Sequence, residues 1–423
     1  MNHEHQRLHL ILLSAVLLVY GAAFIYGQFH PSTRWTLDSY EYASAATNLY
    51  ESGTFYSGSL AGRRDPALYS RRTPLYPLIL WLPLKLTSDG ALVALLQIGL
   101  SLASAWLLGA ILRYLGVKVW LRWVCMACFL LYPAQVIYSQ TVMAEILLQF
   151  LFLLALYGLV RYLEFGDWRY ALLMNLALAL APLAKPIAMF FWIPNLIFWG
   201  WLSFRRRPRS LVLLALLPLL SVSLWSYRNQ LRTGHYHFSS IVSRYVRYMT
   251  PRSERSYDKT RSFAEADDGD WRSFWTSRLE RWPATLWLYA RGSVVFFVDP
   301  GRFDVYQFFG MEQDVSGLQI IRSSTADRWA LLMRIRRSVL LYMILIAGLN
   351  VLIAAGFASS LFLGKIPREV KVFLILIVAY VTAAVGLVGF SRYRLAIEPY
   401  LLLGTVVTVS YLMERFRPRA GNR

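Results

Sequence analysis

Long apolar runs recur along the chain and are separated by short polar or basic segments. A helix needs about 20 mostly apolar residues to cross a bilayer, and the pattern predicts about ten such spans. They are expected at roughly residues 9–27, 90–112, 119–133, 141–160, 170–184, 186–203, 211–227, 338–363, 370–390 and 396–413. Two long segments, at roughly 28–89 and 228–337, interrupt the pattern and predict functional elements outside the spans.

The first long segment has helical patterning of its own. The run LDSYEYASAATNLYESG places apolar and aromatic residues at helical spacing and ends at Gly53, which predicts an amphipathic helix on the membrane surface. The next run, RRTPLYPLILWLPL, is broken by three prolines and predicts a short interfacial or re-entrant helix. The second long segment is rich in Arg, Tyr and Trp, and we expect it to form a small, mostly helical domain.

Composition strengthens the membrane interpretation. Hydrophobic residues make up 57% of the 423 residues and charged residues only 16%, against about 45–50% and about 25% in soluble domains. Disorder, collagen-like sequence and coiled coil are excluded, and the predicted fold class is an all-α polytopic membrane protein. The net charge is +20, but basic residues lie largely between apolar runs, which favours membrane lipids over nucleic acid as partners.

The distribution of basic residues predicts the orientation. Alternate short segments near 113–122, 161–169, 205–209 and 365–371 carry clustered Arg and Lys, whereas segment 134–140 carries none. By the positive-inside rule, both termini are cytoplasmic and both long segments face the periplasm or exterior. We expect an integral protein of a bacterial or archaeal plasma membrane.

Three carboxylates are candidates for chemistry. Asp38 and Glu41 share a helix face just beyond the first span, where one could act as general base for a hydroxyl and the other could orient it. The alternative is that Asp38 caps the helix that follows. Glu145 lies about one turn inside the fourth span, and an ionisable residue at that depth indicates function. The alternative is an interfacial Glu that reaches water.

Cations from four separate parts of the chain are predicted at the same external face. Arginine forks suit phosphate oxygens, so their convergence favours a phosphate site opposite the carboxylates. For the lysine, which is flanked by prolines in an apolar stretch, a snorkelling anchor is the alternative. The candidates are Lys185, Arg228 with Asn229, the pair Arg392 and Arg394, and the pair Arg71 and Arg72.

Other chemical signals are weak. One CxxC pair inside the third span has no second pair, so buried cysteines are a better interpretation than zinc. Two histidines in the second long segment likewise give little support for a metal site. An acidic run in the same segment is better interpreted as a solvated turn. No phosphate-binding or dinucleotide-binding glycine motif occurs, and the sequence supports no metal. The residues concerned are Cys125, Cys128, His235, His237, Asp267, Asp268 and Asp270.

Six short motifs together resemble the GT-C superfamily of integral-membrane glycosyltransferases. The similarity is greatest to the branch that contains the protein O-mannosyltransferases and the lipid A aminoarabinose transferase. The motifs, in family order, are Asp38-Ser39-Tyr40-Glu41-Tyr42-Ala43, Arg72-Thr73-Pro74-Leu75-Tyr76-Pro77, Glu145, Lys185-Pro186, Trp225-Ser226-Tyr227-Arg228-Asn229 with Gly234, and Arg392-Tyr393-Arg394-Leu395 with Pro399.

The resemblance implies an activity and a set of roles. A polyprenyl-phosphate-linked sugar would bind from the outer leaflet, and Asp38, with Glu41 beside it, would deprotonate a hydroxyl that attacks the anomeric carbon with inversion. The acceptor would be a protein, a lipid or a glycan, and no cofactor is required. The residues that would bind the donor phosphate are Lys185, Arg228 and Arg392, then Arg72 and Arg394, with Glu145, Asn229 and Tyr393 in support.

The same resemblance implies a division of the chain. Residues 1–227 would form a GT-C-like transmembrane core with the first external loop, residues 228–337 an extracytoplasmic domain, and residues 338–423 the final spans and a cytoplasmic tail. Two other functions remain open. One is a polymerase or ligase that uses a pyrophosphate-linked oligosaccharide. The other is a lipid or solute transporter, although a transporter usually has its charges near the membrane midplane and repeats in its two halves.

Overall fold

The computed structural model describes residues 3–205, 209–241, 282–311, 337–363, 365–385 and 391–416. Within these ranges the chain is helical and contains no strand, in agreement with the predicted all-α class. The α-helices are α1 (His3–Phe29), α2 (Leu37–Ser52), α3 (Leu75–Leu86), α4 (Ala91–Tyr114), α5 (Val119–Leu131), α6 (Pro133–Gln140), α7 (Glu145–Phe165), α8 (Trp168–Ala184), α9 (Trp192–Arg205), α10 (Leu217–Thr233), α11 (Trp282–Val298), α12 (Arg302–Phe308), α13 (Arg337–Phe362), α14 (Arg368–Val385) and α15 (Glu398–Arg415).

Five helical stretches among the described residues are long and apolar enough to cross a membrane: Gln6–Phe29, Ala91–Tyr114, Glu145–Phe165, Ser210–Thr233 and Val339–Phe362. Helices α5 and α6, bent by 54° at their junction, would make a sixth if they form one broken span. All ten predicted stretches contain helix, but the predicted count of ten spans is not confirmed. The other four form helices of only 17, 14, 18 and 18 residues.

One short connection was predicted wrongly. Residues 134–140, expected to be an external loop, form α6, which begins at Pro133. Proline suits the first position of a helix because its missing N–H has no helical partner there. As a result α7 begins at Glu145 itself, and this residue lies at the start of the span and not one turn inside it.

Helix α7 lies at the centre of the core. It packs against α8 and α4, and most of its side chains are buried. Gly158 allows the close approach to α8, since a Cβ at this position would lie 2.8 Å from the backbone nitrogen of Met174. Such contacts between small residues and a neighbouring backbone are typical of helices packed within membranes.

The first long segment contains the two helices that the pattern predicts. Helix α2 ends at Gly53, whose φ of 66° lies in the left-handed region that glycine adopts readily. Helix α3 follows with 12 residues and packs against both α2 and α4. In the second long segment, α11 and α12 are helical, whereas residues 242–281 and 312–336 lie outside the described residues, so the predicted domain as a whole is not tested.

Candidate active site

Asp38 stands in the first turn of α2 with its carboxylate available for other contacts. The helix is capped instead by Thr36, whose hydroxyl accepts a hydrogen bond from the Ser39 backbone nitrogen at 3.1 Å. The Ser39 hydroxyl in turn accepts one from the Thr36 backbone nitrogen at 2.9 Å. This reciprocal capping box satisfies the helix start, and the interpretation of Asp38 as the cap is wrong.

Two arginines from distant parts of the chain bind the Asp38 carboxylate. Arg72 Nη2 lies 2.6 Å from Oδ1, and Arg392 Nη1 lies 3.0 Å from Oδ2. One turn further along α2, the Glu41 carboxylate binds both neighbouring arginines. Arg71 Nη2 lies 2.7 Å from Oε1, and Arg72 Nη2 lies 2.7 Å from Oε2. The two predicted catalytic carboxylates thus share Arg72 and lie side by side, as their spacing predicts.

A second pair of charges continues from Arg392. Lys185, at the end of α8, donates to Oε1 of Glu145 at the start of α7. Arg392 Nε lies 3.7 Å from the same oxygen. Tyr393 lies between the cations: its ring is 4.5 Å from Lys185 Nζ, and its hydroxyl is 3.2 Å from Arg392 Nη2. We call the whole set the ion-pair chain: Arg71, Glu41, Arg72, Asp38, Arg392, Glu145 and Lys185.

The ion-pair chain fixes the protonation state of Asp38. Burial opposes ionisation of this carboxyl, but the positive charges of Arg72 and Arg392 outweigh it and hold the pKa of Asp38 well below its usual range. Asp38 is therefore ionised at neutral pH, which is the form that a general base requires.

A cavity of about 430 Å³ opens beside Asp38 and Arg392. This volume lies within the range of small-molecule sites. The lining comes from four distant parts of the chain: the first loop with the start of α2, α6 and the turn after it, α12, and the segment before α15. The lining residues are Thr33, Thr36, Leu37, Asp38, Ile137, Tyr138, Thr141, Met143, Asp304, Gln307, Phe308 and Arg392.

Asp304 is a carboxylate of this cavity that the sequence analysis missed. Tyr138 donates its hydroxyl to Asp304 Oδ1 at 2.7 Å. Burial raises the pKa of Asp304 to about 6, although the Tyr138 hydrogen bond and the charge of Arg392 act against the increase. The only sequence signal was an acidic residue within the apolar and aromatic run FVDPGRFDVYQFFG.

The segment that carries Asp38 is tied to the end of α1 by Arg34. This side chain is fully buried, its Nη2 donates to the Phe24 carbonyl at 3.3 Å, and its backbone carbonyl accepts from the Val142 nitrogen at 2.9 Å. Gly27 provides the space, since a Cβ there would lie 3.0 Å from both Nε and Nη2 of Arg34. Arg34 thereby links α1, the start of α2 and the turn before α7.

Two predicted phosphate-binding arginines make their contacts elsewhere. Arg228 donates to the Tyr69 carbonyl at 2.6 Å and lies over the rings of Phe55 and Trp225. Its neighbour Asn229 donates to the carbonyls of residues 237 and 238 at 3.1 and 2.9 Å. Arg228 therefore holds α10 to the first loop, and Asn229 holds it to the segment that follows α10, both without contact to the ion-pair chain.

Arg394 has a different environment from Arg392, although only one residue separates them. Its guanidinium donates to Glu398 at 3.0 Å, to the Tyr132 hydroxyl at 2.7 Å, and to three carbonyls at the end of α11. These contacts occupy the N–H donors of the Arg394 guanidinium within the fold. Arg394 joins the ends of α11 and α15, and the structure does not place it in the ion-pair chain.

The weaker candidates make ordinary contacts. Cys125 is buried and Cys128 exposed, and both are free thiols. His237 Nε2 lies 2.6 Å from the Ser70 hydroxyl. No group of three His, Cys, Asp or Glu side chains in the described part of the chain is placed to hold a metal ion. Asp267, Asp268 and Asp270 lie outside the described residues.

Comparison with known families bears on the core of this arrangement. Residues 85–245 match the family model described as dolichyl-phosphate-mannose-protein mannosyltransferase, a GT-C family. Glu145, Lys185, Arg228 and Asn229 lie within the match, whereas Asp38 and the cavity residues of α12 lie outside it. No curated protein matches the chain significantly. Residues 85–245 are therefore similar to a family of membrane glycosyltransferases, and the resemblance inferred from the motifs is confirmed over this region.

Proposed function

We propose that the protein transfers a sugar from a polyprenyl-phosphate donor to a hydroxyl acceptor at the outer membrane surface, with inversion. The observation that carries the proposal is the position of Asp38, ionised and held between Arg72 and Arg392 at the wall of a small-molecule cavity. A base and cations that suit phosphate are the two components that this reaction needs within one site.

In the proposed reaction Asp38 takes the proton of the acceptor hydroxyl. The acceptor oxygen forms a bond to the anomeric carbon from the face opposite the phosphate, and the bond from that carbon to the phosphate oxygen breaks. The electron pair leaves with the polyprenyl phosphate. Glu41 orients the base indirectly, because it binds Arg72, which also contacts Asp38.

Arg392, Arg72 and Lys185 are the proposed contacts of the donor phosphate. Arg392 is the strongest candidate because it lines the cavity and touches both Asp38 and Glu145. As charge grows on the leaving oxygen, a preorganised guanidinium stabilises it without rearrangement. Phosphate binding would also draw Arg392 away from Asp38 and so increase the basicity of this carboxylate. Arg228 and Arg394 have positioning roles in this proposal.

The proposed topology places both termini in the cytoplasm and the site outside, where a polyprenyl-phosphate sugar in the outer leaflet can reach it. Residues 228–337 would then form an extracytoplasmic domain beside the site. The matched family is named for a lipid-linked mannose and for protein as the acceptor, so a mannosyl donor and a protein acceptor are the first to test, before lipid and glycan acceptors.

The experiment is a sugar-release assay on purified protein with a panel of polyprenyl-phosphate hexoses and pentoses. Asp38→Asn keeps the shape of the side chain but removes the base, and we expect turnover to fall by about 10²–10⁴-fold. Asp65→Asn is the matched control, since this exposed residue caps a short 3-10 helix and Asn caps equally well.

Three results would contradict the proposal in different ways. Near-normal turnover by Asp38→Asn would remove this residue from the role of base. Release of sugar only from pyrophosphate-linked oligosaccharides would favour the polymerase or ligase. An absence of release from every donor, together with movement of labelled lipid across vesicle membranes, would favour the transporter.

A further inference from the structure

The cavity has a second set of polar side chains besides the charges assigned to catalysis. Asp304 and Gln307 lie one turn apart on α12, and Tyr138 reaches Asp304 from α6. Apolar side chains also contribute to the lining, among them Ile137 and Phe308. A few convergent polar groups set in apolar surroundings are typical of sites that orient a small ligand.

We propose that Asp304, held in place by Tyr138, accepts a hydrogen bond from a ring hydroxyl of the donor sugar and thereby determines which sugar is transferred. This inference rests on the proposed function, because it takes the cavity to hold the sugar of a lipid-linked donor. It goes further by naming the protein group that selects the sugar and the class of ligand atom that this group recognises.

The first argument is the capacity of the Asp304 carboxylate. A carboxylate can accept about four hydrogen bonds, and the Tyr138 hydroxyl takes one position at Oδ1. This bond fixes the orientation of the carboxylate and leaves acceptor capacity at the cavity wall. Sugar hydroxyls are donors of the right kind, and a bond from a hydroxyl to a charged acceptor is among the stronger ones.

The second argument is the position of the reacting carbon. The bond that breaks must lie beside Arg392, which binds the phosphate in the proposed reaction, and within reach of a hydroxyl that touches Asp38. Both residues line the same cavity as Asp304. A sugar ring whose anomeric carbon lies between Asp38 and Arg392 therefore projects its other hydroxyls toward the remaining polar lining, which includes Asp304, Tyr138 and Gln307.

The third argument distinguishes the donor sugar from the acceptor. An inverting attack brings the acceptor from the face of the anomeric carbon opposite the phosphate, so the acceptor oxygen must approach Asp38 directly. Asp38 lines the cavity from the start of α2, and Asp304 lines it from another element, α12. In the proposed reaction the attacking atom therefore contacts Asp38, which leaves Asp304 for the transferred sugar.

The test uses the polyprenyl-phosphate hexose that the wild-type protein consumes fastest, together with its four monodeoxy analogues. For wild type we expect one analogue to lose on the order of 10- to 100-fold in kcat/KM, because its missing hydroxyl leaves the charged acceptor unmatched. In Asp304→Asn this discrimination should fall to within about threefold, mainly because turnover of the parent donor drops. Asp65→Asn should retain the wild-type ratio.

A second variant protects the test against misfolding. Tyr138→Phe keeps the buried ring and removes only the hydroxyl that orients Asp304, and we expect it to reduce discrimination against the same analogue. If both variants turn over donor yet keep the wild-type preference at every ring position, Asp304 does not select the sugar, while the proposed function stands. A change confined to the KM of the acceptor would likewise overturn the inference. Failure of wild type to use any donor would overturn the proposed function and this inference together.

Discussion

The Glu145–Lys185 pair offers a quantitative test of the ion-pair chain. Its side chains are only 3% and 7% exposed, so each charge depends on the other for compensation. We consider three variants of similar volume: Glu145→Gln, Lys185→Met and the double substitution. Removal of one partner of a buried pair destabilises a protein by about 3–5 kcal/mol, whereas replacement of both by neutral groups is often nearly neutral.

The neighbours of the pair set the order of the single variants. Glu145→Gln leaves Lys185 and Arg392 close together with one carboxylate fewer, and Lys185 keeps only indirect compensation from the Tyr393 ring at 4.5 Å and from Asp38, which Arg392 already binds. Lys185→Met leaves Glu145 with Arg392 Nε at 3.7 Å as a remaining counter-charge. We therefore expect about 4 kcal/mol of destabilisation for Glu145→Gln, about 2 kcal/mol for Lys185→Met, and less than either for the double variant.

The buried thiol of Cys125 supplies the assay. A thiol-reactive fluorescent dye in detergent reports unfolding when this side chain, 1% exposed, becomes accessible. Cys128→Ser in every variant removes the background from the exposed thiol. The matched control is Glu414→Gln, which breaks the exposed pair with Lys365 and should change Tm little.

The reasoning fails if the shifts in Tm of the two single variants add in the double variant. Additive shifts would mean that the two side chains do not depend on each other. The reasoning also fails if Glu145→Gln is no more destabilising than Glu414→Gln, since a buried pair and an exposed pair would then behave alike.

Three further predictions follow from other contacts. Burial raises the pKa of Asp304 to about 6, and the ionised carboxylate is the form that accepts the sugar hydroxyl. In wild type, kcat/KM for the donor should therefore rise as the pH increases through 6. An equal rise in Asp304→Asn would mean that another group titrates. Arg394→Lys should lower Tm more than Arg392→Lys, since a lysine cannot replace a guanidinium bound to three carbonyls. Arg392→Lys should lower donor turnover more than Arg394→Lys. The opposite order in either measurement would contradict the assignment of Arg394 to the fold and of Arg392 to the donor phosphate. Gly27→Ala should destabilise the protein by about 1–3 kcal/mol through overpacking against the buried guanidinium beside it, and Gly21→Ala, which has open space around it, should not; equal Tm values would contradict the contact.

Local features of the site were readable from the sequence. The spacing of Asp38 and Glu41 places both on one helix face, and the left-handed Gly53 ends that helix where the pattern predicts. The order of the motifs also indicated the family that matches residues 85–245. The first two of these inferences depend on residues near one another in the chain, for which helical geometry alone is sufficient.

Long-range partners were beyond such reasoning. Nothing in the sequence distinguishes Arg392 from Arg394, yet one faces Asp38 and the other binds carbonyls at the end of α11. Asp304 was missed because its importance comes from Tyr138, which is 166 positions away. The predicted count of ten spans is not confirmed, because apolar runs predict burial in either lipid or protein, and the length of a run separates the two poorly.

The charges of the ion-pair chain have a consequence for the end of the reaction cycle. Its four cations face three carboxylates, so a donor phosphodiester with a single negative charge brings the set to neutrality. In the proposed reaction, the polyprenyl phosphate that remains after transfer would be a monoester, with a charge of about −1.5 to −2 at pH 7. We therefore expect the arginines to hold the spent lipid more strongly than the donor, so that it would compete with the donor and its departure would slow successive turnovers at low ionic strength.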